Sequence, residues 1–217
     1  MNRRQKRGCI LVLVGIVMVF AAMVIHLAQK KQDTLAGETA QVLLQQLQLN
    51  KVSVDVPMDA ENQIKQETAE DIPANTELAE DIPANTEMPE KDYLGYSMIG
   101  SLRVPSVGIE LPILSTWSYE LLNVAPCRYT GSIPEGNMTL MGHNYKSHFT
   151  PLRDVAVGAE VEFEDVNGIV YRYAVAEITH LHKTDGELLP SSYPLTLFTC
   201  TPGGQNRVVV RCIQITE

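Results

Sequence analysis

The N-terminal apolar segment constrains this chain more than any other feature of its sequence. From Gly8 to Ala28 the sequence reads GCILVLVGIVMVFAAMVIHLA, without Asp, Glu, Lys or Arg. A helix of this length spans about 30 Å, the thickness of a bilayer's hydrocarbon core. Four basic residues precede it: Arg3, Arg4, Lys6 and Arg7. The positive-inside rule therefore predicts a cytoplasmic tail over 1–7, a transmembrane anchor over 8–28 and an extracytoplasmic remainder.

A cleaved signal peptide is the competing interpretation of this segment. The apolar core of a signal peptide runs about 7–15 residues and ends at a small-residue cleavage site. Here the apolar core is longer, and the following sequence HLAQK is a poor match to such a site. Cys9 lies at the start of the apolar run, whereas the cysteine of a lipoprotein signal follows it. No later segment is apolar and long enough to span a membrane, which favours a single-pass anchor.

The acidic residues are concentrated in one region. Between Lys51 and Asp92 twelve carboxylates and three lysines give a net charge of -9, equal to that of the whole chain. The sequence AEDIPANTE occurs there twice, at 69–77 and 79–87. Two such copies are too few for a solenoid and favour a solvated, self-repelling spacer. We predict a flexible, acidic, extracytoplasmic linker over 29–92. No basic stripe exists to neutralise phosphates, so no nucleic-acid partner is expected.

Part of this linker has helical spacing. Within Thr34–Gln48 the side chains of Leu43, Leu44 and Leu47 fall on one helical face. This pattern predicts a helix just outside the membrane.

The residues from 93 to 217 are dominated by short strand patterns. Tyr171, Tyr173 and Val175 alternate with other residues as in a half-buried strand, and Asn167-Gly168 predicts a hairpin turn. The predicted strands are Ser97–Arg103, Ile109–Leu114, Arg128–Thr130, Asn137–Gly142, Glu160–Glu164, Ile169–His182, Pro194–Cys200 and Arg207–Ile215. Short helices are predicted at Trp117–Val124 and Phe149–Val155. Eight strands with little helix predict an all-β, closed or nearly closed barrel.

Cys200 is the candidate nucleophile. It ends the apolar strand TLFTC and precedes TPGGQN, which has the composition of a turn. If the flanking strands pair as a hairpin, Cys200 lies opposite Arg207, whose positive charge would favour the reactive thiolate. Arg211 would then pair near Thr196, about 13 Å further along the strand. We therefore expect Arg207, rather than Arg211, to act beside the thiol.

His143 is the candidate acid and base, because it ends an apolar strand and opens a loop. No histidine follows Cys200, which excludes a papain-like order. His148, His180 and His182 form no Cys/His cluster with convincing metal spacing, so neither metal nor cofactor is expected.

Three cysteines lie outside the predicted anchor: Cys127, Cys200 and Cys212. An odd number leaves at least one free thiol in a monomer. Cys212 would pair near residue 195, too far for an easy bridge to Cys200. Cys127 and Cys212 are either bridged or buried. A strand cysteine is by itself more often a small buried apolar residue than a nucleophile.

These features resemble the sortases, the cysteine transpeptidases of Gram-positive bacterial surfaces. Thr196–Cys200 resembles the family's TLxTC signature, and Met141–Asn144 resembles the segment that holds its histidine. Asn206–Arg211 resembles the final strand that begins with its arginine, and Val104–Ile113 resembles the start of its domain. The similarity extends over about Tyr93–Ile215.

The resemblance implies an eight-stranded sortase-type barrel with His143, Cys200 and Arg207 as catalytic residues and Thr199 in support. It implies cleavage of an LPxTG-like sorting motif between Thr and Gly, through a thioacyl-enzyme. A surface protein would then pass to an amine of a peptidoglycan precursor. The enzyme would be a single-pass protein of the cell membrane.

The departures from the family's patterns concern its subclass. The absence of an Asp-Pro-aromatic lid motif and of a C-terminal anchor argues against a pilin-polymerising sortase. The short stretch after His182 argues against class B. These absences favour a class D-like or housekeeping-type enzyme. Two alternatives stay open at this stage: a thiol hydrolase with caspase-like order, and a non-enzymatic tethered β-module.

Overall fold

A computed structural model describes residues 3–52, 88–189 and 191–215 of the protein. One long helix, α1 (Arg3–Val52), precedes nine strands and a short helix, α2 (Tyr119–Leu122). The strands are β1 (Lys91–Tyr93), β2 (Tyr96–Val104), β3 (Ile109–Leu114), β4 (Cys127–Thr130), β5 (Met138–Met141), β6 (Glu160–Asp165), β7 (Val170–His182), β8 (Leu195–Cys200) and β9 (Asn206–Gln214). Three 3-10 turns lie at Pro105–Val107, Thr150–Asp154 and Gly186–Leu188. Both AEDIPANTE copies lie outside the described residues.

Eight of the strands close into a barrel. Neighbouring strands pair in the order β2-β3-β4-β5-β8-β9-β7-β6, and β6 pairs again with β2 to complete the ring. The short β1 is joined to the edge of β2 through Leu94 and Gly95, whose positive φ values of 53° and 85° form a tight turn. The predicted eight-stranded closed barrel is therefore confirmed, with β1 as an additional strand that the sequence patterns did not predict.

The barrel interior is filled by apolar side chains from alternate strand positions. Gly100 allows β2 to bend where it meets both β3 and β6. Its φ is 155°, and a Cβ there would lie 2.1 Å from the carbonyl oxygen of Glu164. Only glycine fits this close approach of two backbones, which coincides with a register shift between Met98 and Gly100.

The strands that end at the candidate site are neighbours in the ring. β5 and β8 run parallel, with Met141 paired to Phe198. β8 and β9 form an antiparallel hairpin, in which Cys200 pairs with Arg207. Because β5 and β8 run in the same direction, their C-terminal ends meet at one mouth of the barrel.

Helix α1 has two differently exposed parts. Its apolar side chains from Leu13 to Leu27 are exposed, and α1 is the one helix among the described residues that is long and apolar enough to cross a membrane. Further along, a buried face packs on the barrel near β3: Ala36, Ala40, Leu43, Leu44 and Leu47. The first part of the predicted linker, 29–52, is therefore helical and continuous with the apolar segment. Burying each leucine there contributes roughly 1.5–3 kcal/mol, which favours a docked helix over an extended chain.

Candidate active site

Cys200 and Arg207 lie opposite each other at the turn end of the β8–β9 hairpin. Both are partly exposed. The turn between them is closed by two bonds from Thr201, whose backbone N–H and hydroxyl both donate to the carbonyl of Asn206, at 2.9 and 3.1 Å. Gly203 and Gly204 provide the positive φ values, 79° and 70°, that this turn needs. The hairpin register therefore places the guanidinium-bearing residue directly across from the thiol, as predicted from the sequence.

His143 follows the end of β5 and comes level with Cys200. The Gly142 N–H continues the strand pairing by donating to the Phe198 carbonyl at 3.2 Å. The buried Thr199 hydroxyl donates to the Gly142 carbonyl at 2.9 Å. One residue beyond His143, the Asn144 amide donates to the Thr201 carbonyl at 3.3 Å. These bonds on both sides of His143 keep its segment alongside the end of β8.

His143, Thr199, Cys200 and Arg207 all line one cavity of about 230 Å³. The structure thus brings together every residue that the sequence singled out for the site. A larger cavity of about 940 Å³ lies beside Glu90 and Arg128, but neither a cysteine nor a histidine is among its described lining residues. We therefore take the smaller cavity as the candidate active site.

Arg207 is held by the turn that precedes it. Its Nη1 donates to the carbonyls of Gly204 at 3.1 Å and Asn206 at 3.3 Å. Since a guanidinium carries five N–H donors, these two bonds orient the group without exhausting it. Arg211, one arginine further along β9, instead bonds the Glu177 carboxylate at 3.3 Å and does not line the cavity.

Burial shapes the chemistry of the ionisable groups. It lowers the pKa of His143 below the ordinary imidazole value. It raises the pKa of Cys127 and of Cys212 to about 12, so both thiols are inert at neutral pH. Neither forms a disulfide. Of the three barrel cysteines, Cys200 is the one with solvent access.

Aromatic side chains build one wall of the cavity. Tyr129 stacks edge-on against Phe198, with ring centroids 5.4 Å apart, and Trp117 lies 5.6 Å from Tyr129. Trp117 in turn contacts Tyr119 edge-on at 5.9 Å. Because Trp117 and Tyr119 are exposed in part, this wall offers an apolar surface to a bound chain.

Arg153 is a neighbour of Cys200 that the sequence reasoning missed. It lies in the 3-10 turn after the His143 loop, and its Nη2 donates to the Cys200 carbonyl at 3.2 Å. Its Nε is buried without a hydrogen-bond partner among the described residues. No local pattern links an arginine in this turn to a strand end 47 residues later.

No group of three His, Cys, Asp or Glu side chains suited to a metal occurs within 3–52, 88–189 and 191–215.

Comparison with known proteins identifies the family. The family model of the sortase domain matches residues 102–214, slightly more than half of the chain. The chain therefore belongs to the sortase family. Sortases are cysteine transpeptidases, so the protein is an enzyme of that class. No curated protein matches the sequence.

Three solved sortases share the fold at low sequence identity. The Clostridium perfringens Sortase D5 transpeptidase is 20% identical, with a TM-score of 0.50 over 55% of this chain and 79% of that one. Sortase A from Corynebacterium diphtheriae is 22% identical, with a TM-score of 0.50 over 56% and 62%. Sortase C1 from Streptococcus suis is 23% identical, with a TM-score of 0.50 over 55% and 74%. The likeness spans several subclasses and supports the fold.

Proposed function

We propose that this protein is a membrane-anchored sortase that cleaves an LPxTG-like sorting motif between Thr and Gly. It would transfer the attached surface protein to an amine of a peptidoglycan precursor. One observation carries the proposal: the ends of β5, β8 and β9 bring His143, Cys200 and Arg207 to one cavity. Each supplies a group that acyl transfer needs, namely a nucleophile, an acid and base, and an oxyanion-stabilising cation.

In the first half-reaction the Cys200 thiolate attacks the threonine carbonyl carbon. The tetrahedral intermediate carries a negative charge on oxygen, which the Arg207 guanidinium would stabilise. The bond to the glycine nitrogen then breaks, and His143 as imidazolium gives its proton to the departing amine. The products are a thioester on Cys200, a neutral imidazole and the free glycine-containing fragment.

The second half-reaction uses the neutral imidazole. An incoming amine attacks the thioester carbonyl while His143 takes a proton from its nitrogen, and the sulfur leaves as thiolate. Burial lowers the pKa of His143, which favours the neutral imidazole that this step uses over the imidazolium that the first half-reaction uses. The site thereby returns to the thiolate and imidazolium with which it began.

The aromatic wall and the anchor support the rest of the proposal. The partly apolar sorting motif would lie along Trp117, Tyr119 and Tyr129, next to the thiol. A single apolar helix preceded by basic residues would hold the barrel on the outer face of the membrane. The class D-like or housekeeping-type assignment stays a prediction.

The test uses the full chain in detergent micelles with a set of sorting peptides. Mass spectrometry should detect an acyl adduct on Cys200, and an added amine should give an amide product. Cys200→Ala should abolish the adduct. His143→Ala and Arg207→Ala should each lower turnover by roughly three orders of magnitude or more, because the three groups act as a unit.

Matched controls lie on the barrel away from the cavity. His180→Ala removes an exposed imidazole from β7, and Arg103→Ala removes a guanidinium from β2 that is 55% exposed. Both should keep wild-type turnover. If the peptide is hydrolysed and no amide product forms at any amine concentration, the protein is a thiol hydrolase and not a transpeptidase. Full peptide cleavage by the Cys200→Ala variant would reject the proposed site.

A further inference from the structure

The segment that carries His143 is hydrogen-bonded to the N-terminal helix. We call residues 143–149, between β5 and the following 3-10 turn, the histidine loop. The carboxylate of Asp33 on α1 accepts three hydrogen bonds from it. The donors are the backbone N–H of Lys146 at 3.2 Å, the backbone N–H of Ser147 at 3.1 Å and the Ser147 hydroxyl at 2.6 Å. The two partners are 113 and 114 residues away in the chain.

The contact is close as well as polar. Gly37, one helical turn after Asp33, lies against Ser147, and a Cβ at position 37 would be 2.8 Å from the Ser147 Cβ. No positive φ requires this glycine, and alanine would be the better helix former by about 0.5–1 kcal/mol. The close approach to the histidine loop is therefore the structural reason for glycine at this position.

A contact at one point of the histidine loop affects the position of the whole loop, because the loop has internal hydrogen bonds and packs on the barrel. The Phe149 N–H donates to the His143 carbonyl at 3.1 Å, and the Thr150 hydroxyl donates to the Asn144 carbonyl at 2.6 Å. The Phe149 ring fills the space where Gly142 lacks a side chain. A displacement at Ser147 therefore also displaces His143, the residue that must meet the thiol.

We propose that Asp33 is a positioning residue for His143. The juxtamembrane part of α1 then helps to position a residue of the catalytic domain and is not only a spacer. Hydrogen bonds from backbone N–H groups to a carboxylate are charge-assisted and stronger than neutral ones. They suit a clamp on the histidine loop, by which we mean Asp33 and Gly37 with their contacts to that loop. Asp33 lies five residues after the predicted end of the anchor, about 7.5 Å along the helix axis. The clamp would thus also fix the histidine loop close to the outer membrane surface.

The experiment compares variants of the full chain in lipid nanodiscs. It rests on the proposed function for one readout, peptide turnover, and is independent of it for the other. The second readout is the pH dependence of Cys200 alkylation by iodoacetamide, resolved by peptide mass spectrometry, with His143→Ala as the reference for a thiol without its imidazole. Fluorescence of Trp117, the single tryptophan, verifies folding.

Asp33→Ala should lower kcat about 100-fold, the effect of misplacing a catalytic group by about 1 Å, with KM changed less than about twofold. Its alkylation profile should move towards that of His143→Ala. Asp33→Asn keeps an acceptor oxygen without the charge and should recover part of both properties. Glu38→Ala, the matched control, removes an exposed carboxylate from the same helix and should leave both unchanged.

A glycine pair tests the packing half of the clamp. Gly37→Ala should strengthen the helix yet lower kcat about tenfold or more, because its methyl group pushes the histidine loop away. Gly15→Ala is the control, since a Cβ at Gly15 would meet nothing within 4 Å. Opposite results for helix stability and turnover would not arise from a merely structural role of Gly37.

The outcomes separate the clamp from the proposed function. If no peptide forms an adduct on the wild-type protein, the transpeptidase proposal fails while the alkylation profiles still test the clamp. If Asp33→Ala folds and has the alkylation profile and the kcat of the wild type, the clamp proposal is overturned. If the alanine variant does not fold, Asp33→Asn decides: reduced kcat with an altered alkylation profile supports the clamp, and wild-type values for both reject it.

Discussion

His148 should make the stability of the folded protein depend on pH. Its side chain is 1% exposed, and the rings of His143 and Tyr145 lie close by. Burial, assisted by the nearby His143, lowers the pKa of His148 from 6.5 to about 4, although the Ala36 backbone and the Asp33 carboxylate act in the opposite direction. The folded protein therefore keeps this imidazole neutral over a range in which the unfolded chain protonates it.

The sign and the size of the effect follow from proton linkage. Between pH 6.5 and about 4 the unfolded chain binds a proton at His148 that the folded chain does not. The free energy of unfolding contributed by this group is thus fully present above pH 6.5 and is lost as the pH falls. The loss is about 1.4 kcal/mol per pH unit, or about 3 kcal/mol over the whole window.

Thermal unfolding of the wild type and of His148→Phe, followed by Trp117 fluorescence between pH 7.5 and 4.5, measures this loss. Phenylalanine keeps a planar ring and cannot be protonated. We expect the Tm of the wild type to fall by about 10 °C more than that of the variant over this range. The difference between the two proteins isolates His148, because the carboxylates titrate in both.

His180→Phe is the control, since it removes an exposed imidazole. It should keep the wild-type pH dependence. Parallel curves for the wild type and His148→Phe would refute the reasoning, because they would mean that folding does not exclude the proton from this buried ring.

Three further predictions concern the site and its support. Arg153→Ala removes the donor to the Cys200 carbonyl, so peptide turnover should fall about tenfold while folding, monitored by circular dichroism, is kept. Thr199→Val deletes a buried hydroxyl that bonds the carbonyl just before His143, and chemical denaturation should show a loss of about 1–3 kcal/mol. In native protein iodoacetamide should label Cys200 before Cys127 or Cys212, whose burial raises their pKa, and equal labelling of all three would contradict the structure.

Local patterns predicted most of the barrel's elements because strand alternation and turn residues are encoded within a few neighbouring positions. Ile109–Leu114 matches β3 at both ends, and the predicted turn at Asn167-Gly168 joins β6 to β7. β1 escaped prediction because three residues are too few to display alternation. Local patterns could not predict the order of the strands in the barrel. The parallel pairing of β5 with β8 and the closure of β2 on β6 join segments that are distant in the sequence.

The candidate site divides in the same way. The pairing of Cys200 with Arg207 was predictable because a short turn sets the register of a hairpin. His143 could be singled out because it is a histidine at a strand end, and its catalytic role stays a prediction. The alignment of His143 with Cys200 depends on the parallel β5–β8 pairing. The bond from Arg153 to the Cys200 carbonyl depends on how the 3-10 turn Thr150–Asp154 packs against β8.

By itself the sequence determined the apolar segment, the helical face of Leu43, Leu44 and Leu47, the strands and the thiol, because each is a pattern of neighbouring residues. Only the tertiary structure decided that this helical face packs on the barrel and that Asp33 bonds the histidine loop. A carboxylate carries no local mark of the N–H groups that it will meet more than a hundred residues later. That partnership exists only once the closed barrel and the docked helix bring the two segments within hydrogen-bonding distance.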